Sequence, residues 1–394
     1  MRLRNGLRVV RRGPAEVQLG TDHRWAVRVD GLSADEASAL ARLADGASPG
    51  ALAADDRLDA QRLASLVTQL DEAGILERRA VRSLAGPPGA DARVLGLVRP
   101  DGDGAATVAA RSGRGVGVVG LGPTGLAVAL QLALAGVGRI TLEDARPVRS
   151  SDVGPHGYGW SDVGHPRLDA ATRVLAAASP TTTTSAASDV DVLVVVSDDV
   201  VDPALPARLV NRGVAHLSVV LREADTVVGP FVVPGAGPCL RCLDLHRTDA
   251  DPAWPVMATT LAAAARRGSA PPPEPVAVVS VAAGLAVAAV LTHLDATSGD
   301  VARGGSPDDR PTDGRVGTVA SAGAGPCTPR LRGVTLELGL PDAVPRERRW
   351  AAHPACGCTA HLSADPASTG RRLMPPGSCA DVPDRASSPP RSRR

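Results

Sequence analysis

Residues 115–144 read GVGVVGLGPTGLAVALQLALAGVGRITLED. The apolar run from Val116 to Val119 predicts a buried strand, Gly120, Gly122 and Gly125 follow in GxGxxG spacing, and an apolar helix leads to a second strand ending at Asp144. A strand-to-helix turn that approaches a phosphate needs glycine for the tight bend and the close backbone contact, and the helix N-terminus stabilises the negative charge. A lone GxGxxG is common. Here the strand precedes it, the helix follows it, and Asp144 stands nineteen residues beyond Gly125, where a ribose hydroxyl would be held. The same glycines also allow a helix to pack closely on a strand. A later apolar strand, DVDVLVVVSDD (residues 189–199), ends in Ser197, Asp198 and Asp199 at the carboxyl edge of a parallel sheet, where ligands of such sheets sit.

Around this segment, 394 residues are too many for one ordinary core and predict two domains or more. A hydrophobic content of 44% and a charged content of 22% are those of a soluble globular protein. The formal net charge of +1, carried by arginine without any lysine, implies no polyanionic partner. Aromatics at 2% leave few platforms for stacking bases, which again argues against nucleic acid. The stretch VAVVSVAAGLAVAAVLTHL (276–294) is nearly long enough to span a bilayer, yet its Ala, Gly and Ser content and the lack of a basic N-terminal flank predict a buried core helix and no membrane partner. The first residues lack the apolar core and cleavage site of a signal peptide, and six unevenly spaced cysteines make a poor disulfide framework, so a reducing cytoplasm is expected.

Four stretches follow from composition and pattern. In residues 1–85, AEVQLG and WAVRVDG alternate like short strands, Ser33 and Glu36 make a capping box, and Leu63, Leu66, Val67 and Leu70 form one face of a helix that Gly74 can end. These features predict a small winged-helix-like α+β module, with an N-terminal extension packed on the main domain as the plainer reading. Residues 86–114 hold Gly, Pro and Asp clusters and are read as a linker. Residues 115–364 form the main domain, and 365–394, rich in Pro, Ser and Arg, are read as a disordered tail that removes Cys379 from any ligand set.

In GPCLRC (237–242), Cys239 and Cys242 are three positions apart, which suits half of a metal site, a redox pair or simple packing. HPACGC (353–358) brings Cys356 and Cys358, one residue apart, with His353 near enough to substitute. A redox motif fits poorly, because the first pair follows a proline-bounded turn and does not open a helix early in a βαβ unit.

The order of these motifs, from GxGxxG through Asp144, DVGHPRLDAA, VVVSDD and GPCLRC to a late cysteine pair, resembles the ThiF/MoeB type of adenylating enzymes, relatives of ubiquitin-activating enzymes, over roughly residues 110–360. The resemblance implies a Rossmann-like, doubly wound sheet. It also implies ATP with magnesium near Gly120, Gly122, Gly125, Asp144, Arg167 and Asp198, and a structural zinc on Cys239, Cys242, Cys356 and Cys358. The departures are chemical. Arg146 stands where the family has a second acid, Asp152 where it has Asn and Pro155 where it has an arginine finger, while Arg167 replaces a lysine and keeps its charge. Adenylyl transfer depends on positioning and charge neutralisation, so these changes imply weak nucleotide binding and no catalytic residue.

A degenerate adenylating domain behind a winged-helix-like module resembles, more narrowly, the cyclodehydratase partner proteins of azole-modified (TOMM) peptide biosynthesis. That likeness implies a non-catalytic subunit that grips the leader of a ribosomally made precursor peptide and presents it to a YcaO-type enzyme, with a homodimer as the expected assembly. The rival reading is an active adenylyltransferase acting on the C-terminus of a small ubiquitin-like or sulfur-carrier protein. GAGPC occurs at 235–239 and again at 323–327, but no activating base marks Cys327 as a nucleophile.

Overall fold

The strand expected ahead of the glycine turn forms over Gly115–Val119, between two parallel neighbours in the main sheet. The computed structural model describes residues 2–22, 26–44, 58–77, 84–99, 101–184, 189–299 and 330–358. The expectations for the 365–394 tail, Cys379 and Cys327 lie outside the described residues, as does Trp25 of the WAVRVDG strand.

The N-terminal segment contains β1 (Arg2–Leu3), β2 (Val9–Gly13), β3 (Glu16–Leu19), β4 (Val27–Val29), α1 (Ala34–Ala44), α2 (Ala60–Glu72) and β5 (Leu76–Glu77). β2, β3 and β4 make an antiparallel sheet in that order, and β1 pairs with β5. The capping box forms reciprocally: the Ser33 N–H donates to Glu36 Oε2 at 2.7 Å and the Glu36 N–H to Ser33 Oγ at 3.1 Å. Alternation on β3 buries Val17 and Leu19 against Leu40 and Leu43 of α1 and Leu63, Leu66 and Leu70 of α2, so this segment has a core of its own.

Residues 86–114, expected to be a linker, instead fold into α3 (Pro88–Val98) and α4 (Gly104–Ala110). The glycines that read as breakers are used for contact: a Cβ at Gly104 would lie 2.1 Å from the Ala92 carbonyl oxygen, so only glycine lets the two helices meet there. The Arg111 guanidinium then ties α3 to the main domain, pairing with Asp91 at 2.6 Å and with Asp295 at 2.7 Å.

The main sheet adds β6 (Gly115–Val119), β7 (Arg139–Glu143), β8 (Thr183–Thr184), β9 (Val192–Asp198), β10 (Ala215–Leu221), β11 (Asp225–Val232), β12 (Val334–Gly339) and β13 (Arg346–Arg349). Its eight strands run β13-β12-β11-β10-β9-β6-β7-β8; β10, β9, β6, β7 and β8 are mutually parallel, and β11 to β13 extend the sheet antiparallel. The helices are α5 (Pro123–Leu134), α6 (Arg167–Ala178), α7 (Leu205–Asn211), α8 (Leu240–Ala250), α9 (Trp254–Arg266) and α10 (Val276–Gly299). The chain leaves β6 toward β7 through α5, and leaves β9 toward β10 on the other side through α7. With right-handed crossovers this puts the two helices on opposite faces and makes the β6–β9 boundary the switch point.

α10 is long and apolar enough to cross a membrane by length and composition. One face is core: Val279, Ala282, Ala283, Ala286 and Val290 pack with Leu126, Val128 and Leu132 of α5. The other face exposes Ala277, Ser280, Gly284 and Ala288. The chain thus combines a mostly parallel α/β sheet of the expected type with a small N-terminal sheet module.

Candidate functional site

At the switch point the glycine turn leaves β6, with Gly120 and Gly122 in the turn and Gly125 in the first turn of α5. β7 delivers Asp144, the start of α6 delivers Arg167, and the last residue of β9 is Asp198. The structure brings all six predicted nucleotide-site residues to one sheet edge. Their partners, however, are mostly one another.

Asp144 accepts the Leu121 N–H at 2.8 Å and the Arg146 N–H at 2.9 Å, then the Arg146 Nε at 3.1 Å and the Arg167 Nη1 at 3.1 Å. Arg146 reaches on to Asp198 with Nη1 at 2.6 Å. Arg167 reaches Asp152 with Nε at 3.0 Å and Nη2 at 2.7 Å. Burial works to raise the Asp144 carboxyl, but the Arg146 guanidinium and the two backbone N–H groups outweigh it and hold the group below its ordinary value. Tyr158, the single tyrosine, closes the floor by donating to the Leu121 carbonyl at 2.8 Å.

Sequence reading found Arg146 only as a missing acid; here it is the bridge between Asp144 and Asp198. It missed Asp152 as the partner of Arg167, and it missed Glu274, whose Oε2 accepts the Thr124 N–H at 2.8 Å at the start of α5. One signal was available for Glu274, since it is the only Asp, Glu, Lys or Arg between Arg267 and Asp295. A lone charge inside an otherwise uncharged run needs a specific partner. Pro155 lies exposed in the loop after β7 and offers no positive charge to the site.

The residues do not fit a nucleotide triphosphate as they stand. Four carboxylates, those of Asp144, Asp152, Asp198 and Glu274, meet two guanidiniums, Arg146 and Arg167, and both guanidiniums are already paired. Asp144 and Asp198, expected at the ribose and the magnesium, and the helix N-terminus are all engaged by the chain's own groups.

On the far side of β10 the two cysteine pairs converge. Cys239 caps the start of α8 and Cys242 lies in its first turn, while Cys356 and Cys358 follow β13. Cys239 Sγ is 3.5 Å from Cys356 Sγ, Cys242 Sγ is 3.4 Å from Cys358 Sγ, and Cys239 Sγ is 4.0 Å from Cys242 Sγ. Tetrahedral zinc with Zn–S bonds of ~2.3 Å separates its sulfurs by about 3.8 Å, so the four thiols can hold that ion. The shortened second knuckle works because Gly357, between its two cysteines, has φ +65°, a left-handed conformation that lets both sulfurs turn to one side. Burial pushes the Cys358 thiol up to about 11, which a bound cation would reverse.

His353 is engaged elsewhere. Its Nδ1 accepts the Ala355 N–H at 3.1 Å, so the proton sits on Nε2, which donates to Asp249 at 2.8 Å. His246 lies within α8 and bonds the Ala351 carbonyl with Nε2 at 3.0 Å. Trp254 donates its indole N–H to Asp244 at 3.1 Å and stacks under Arg247. Asp199, Arg222, Glu223, Arg247 and Trp254 line a cavity of about 250 Å³ beyond β9 and β10.

The site thus combines a glycine turn at the switch point of a doubly wound sheet with a cysteine cluster beside the antiparallel extension. Residues 108–303 of the chain match the ThiF family. Among solved structures it is similar to Escherichia coli MccB with ATP, at 14% identity and a TM-score of 0.62, covering 91% of this chain and 98% of that one. The microcin C7 biosynthetic enzyme MccB in complex with N-formylated MccA is similar at 14% identity and a TM-score of 0.62, covering 91% of this chain and 99% of that one. PaaA is similar at 17% identity and a TM-score of 0.61, covering 88% of this chain and 98% of that one. No curated protein matches the chain at a significant level.

Proposed function

We propose that this chain binds the leader of a ribosomally made precursor peptide through residues 1–85 and presents it to a YcaO-type cyclodehydratase, on a ThiF-like scaffold that no longer adenylates. The observation that carries this reading is the edge of β4. β4 pairs with β3 through Val17↔Val29, Gln18↔Arg28 and Leu19↔Val27, and its outer side has no strand partner among the described residues. α2 stands beside that edge, with Arg62 donating to the Gly31 carbonyl at 2.7 Å just after the strand. An unpaired edge next to a helix suits strand addition, in which backbone hydrogen bonds supply affinity and flanking side chains supply specificity. Val27 and Val29 of the strand and Val67 of the helix, all partly buried, pack against the core of this segment. The complex of MccB with N-formylated MccA supports the reading by fold likeness. In the same proposal the four cysteines hold one structural zinc, and a second copy packs to form a homodimer.

Affinity for the precursor encoded near the gene is expected to be micromolar or better, measured by calorimetry, since a short added strand with two or three anchored side chains offsets its ordering cost. A chain starting at residue 84, which keeps α3 and α4, is expected to lose that binding. Equal precursor binding by the shortened chain would end the proposal.

Adenylation is expected to be silent. Pro155 supplies no charge, and Arg146 neutralises the two acids that would serve ribose and magnesium. ATP–pyrophosphate exchange should stay at background with any peptide carboxylate. Robust exchange dependent on a small protein would favour the adenylyltransferase reading instead.

A further inference from the structure

Glu274 lies between two prolines, directly ahead of α10, and its carboxylate sits on the glycine turn. Oε2 accepts the Thr124 N–H at 2.8 Å. Oε1 is so close to the turn that a Cβ added at Gly122 would lie 2.4 Å from it. One carboxyl group therefore covers both the glycine at the N-cap and the Thr124 N–H of α5, a 12-residue helix whose N-cap supplies no side-chain hydrogen bond. That is where this kind of fold takes phosphate, because the unpaired N–H groups and the helix dipole both favour negative charge. Beside it the buried Thr124 hydroxyl has no hydrogen-bond partner. The Glu274 side chain is anchored from behind, since Val278 and Val279 of the following helix are fully packed in the core.

We propose that the Glu274 carboxyl group takes the place of a nucleotide phosphate, so that the glycine turn is held closed by the chain itself and nucleotide is excluded. This rests on a contact independent of the peptide-binding reading. A phosphate entering the cradle would collide with the Glu274 carboxyl oxygens that already fill it, and every nearby guanidinium of the network is already paired. The neutralised network and the occupied cradle act together: one removes the attraction for the nucleotide, the other removes its space.

The test uses the full chain with inorganic pyrophosphate and with Mg-ATP, read by calorimetry, by thermal unfolding and by hydrogen exchange of the residue 122–126 amides. The unmodified chain is expected to show no binding and no thermal shift at millimolar pyrophosphate. Glu274→Ala should lower the melting temperature, recover it when pyrophosphate is added, and bind pyrophosphate at least about a hundredfold more tightly than the unmodified chain, as vacating an otherwise free helix N-terminus requires. Pyrophosphate should slow exchange at residues 122–126 in that variant alone. Glu274→Gln keeps the shape and the acceptor without the charge, so it folds where Glu274→Ala does not, and it should show a smaller gain in the same direction. Binding by the unmodified chain within about threefold of the variants would overturn the proposal, and so would variants that fold and still bind no phosphate.

Discussion

Replacing Cys242 with serine is expected to strip the protein of its metal and to lower its melting temperature by about 10 °C. The Cys242 side chain is fully buried and packs with Cys239, Leu240 and Val232, so it cannot be replaced by solvent. Its sulfur faces Cys358, 116 residues away in sequence, and thereby ties the start of α8 to the segment after the last strand. Structural zinc is worth ~10–16 kcal/mol in peptides that have no other core. This chain has two cores besides the knuckle, so a loss of roughly 3–5 kcal/mol is expected, and 1 kcal/mol moves the melting temperature of a domain of this size by ~2–4 °C. Metal analysis should give about one zinc per unmodified chain and none per variant, as a closed four-ligand site requires. A metal-free unmodified chain with an unchanged melting temperature would refute the structural role.

Arg167→Met should be nearly as damaging, for a different reason. Arg167 is 1% exposed and holds two buried carboxylates, those of Asp144 and Asp152. Methionine keeps much of the volume but leaves Asp152 without its guanidinium and Asp144 with Arg146 as its one remaining guanidinium, which costs about 3–5 kcal/mol at neutral pH. The cost should depend on pH with a definite sign. The Asp144 carboxyl is held below its ordinary value by Arg146 and two backbone N–H groups, and the Arg167 charge 3.1 Å away adds to that hold, so its contribution is fully present above the unfolded value near 4 and is lost as pH falls through the folded value. The difference in urea stability between the two proteins should therefore be largest near pH 7 and shrink below about pH 4. A constant difference across that range would mean that Arg167 acts by packing alone.

Contacts made within one motif were legible in the sequence. The GxGxxG turn, the strand before it and the acid at the end of the next strand all fall within residues 115–144, and each forms as its spacing implies. The two cysteine pairs were legible as pairs, and Gly357 explains why a CxC knuckle serves as well as a longer one. What escaped were contacts set by the folded sheet. Arg146 meets Asp198 across 52 positions, and Thr124 meets Glu274 across 150, separations at which spacing says nothing about proximity. Residues 86–114 escaped for another reason: glycine breaks an isolated helix, but between two packed helices it permits contact, and the sequence does not state which context applies. Chemically, the consequence is that a motif surviving intact does not imply that its ligand survives with it.

The central claim is that recognition belongs to the N-terminal module and that the glycine turn is silent. It is tested most directly by hydrogen exchange on the full chain with and without its precursor peptide and with Mg-ATP. The account expects the precursor to protect the amides of Val27–Val29 and the adjoining face of Ala60–Glu72, and expects Mg-ATP to protect nothing. Protection confined to residues 120–125, 144–167 and 198, with β4 exchanging freely, would contradict it.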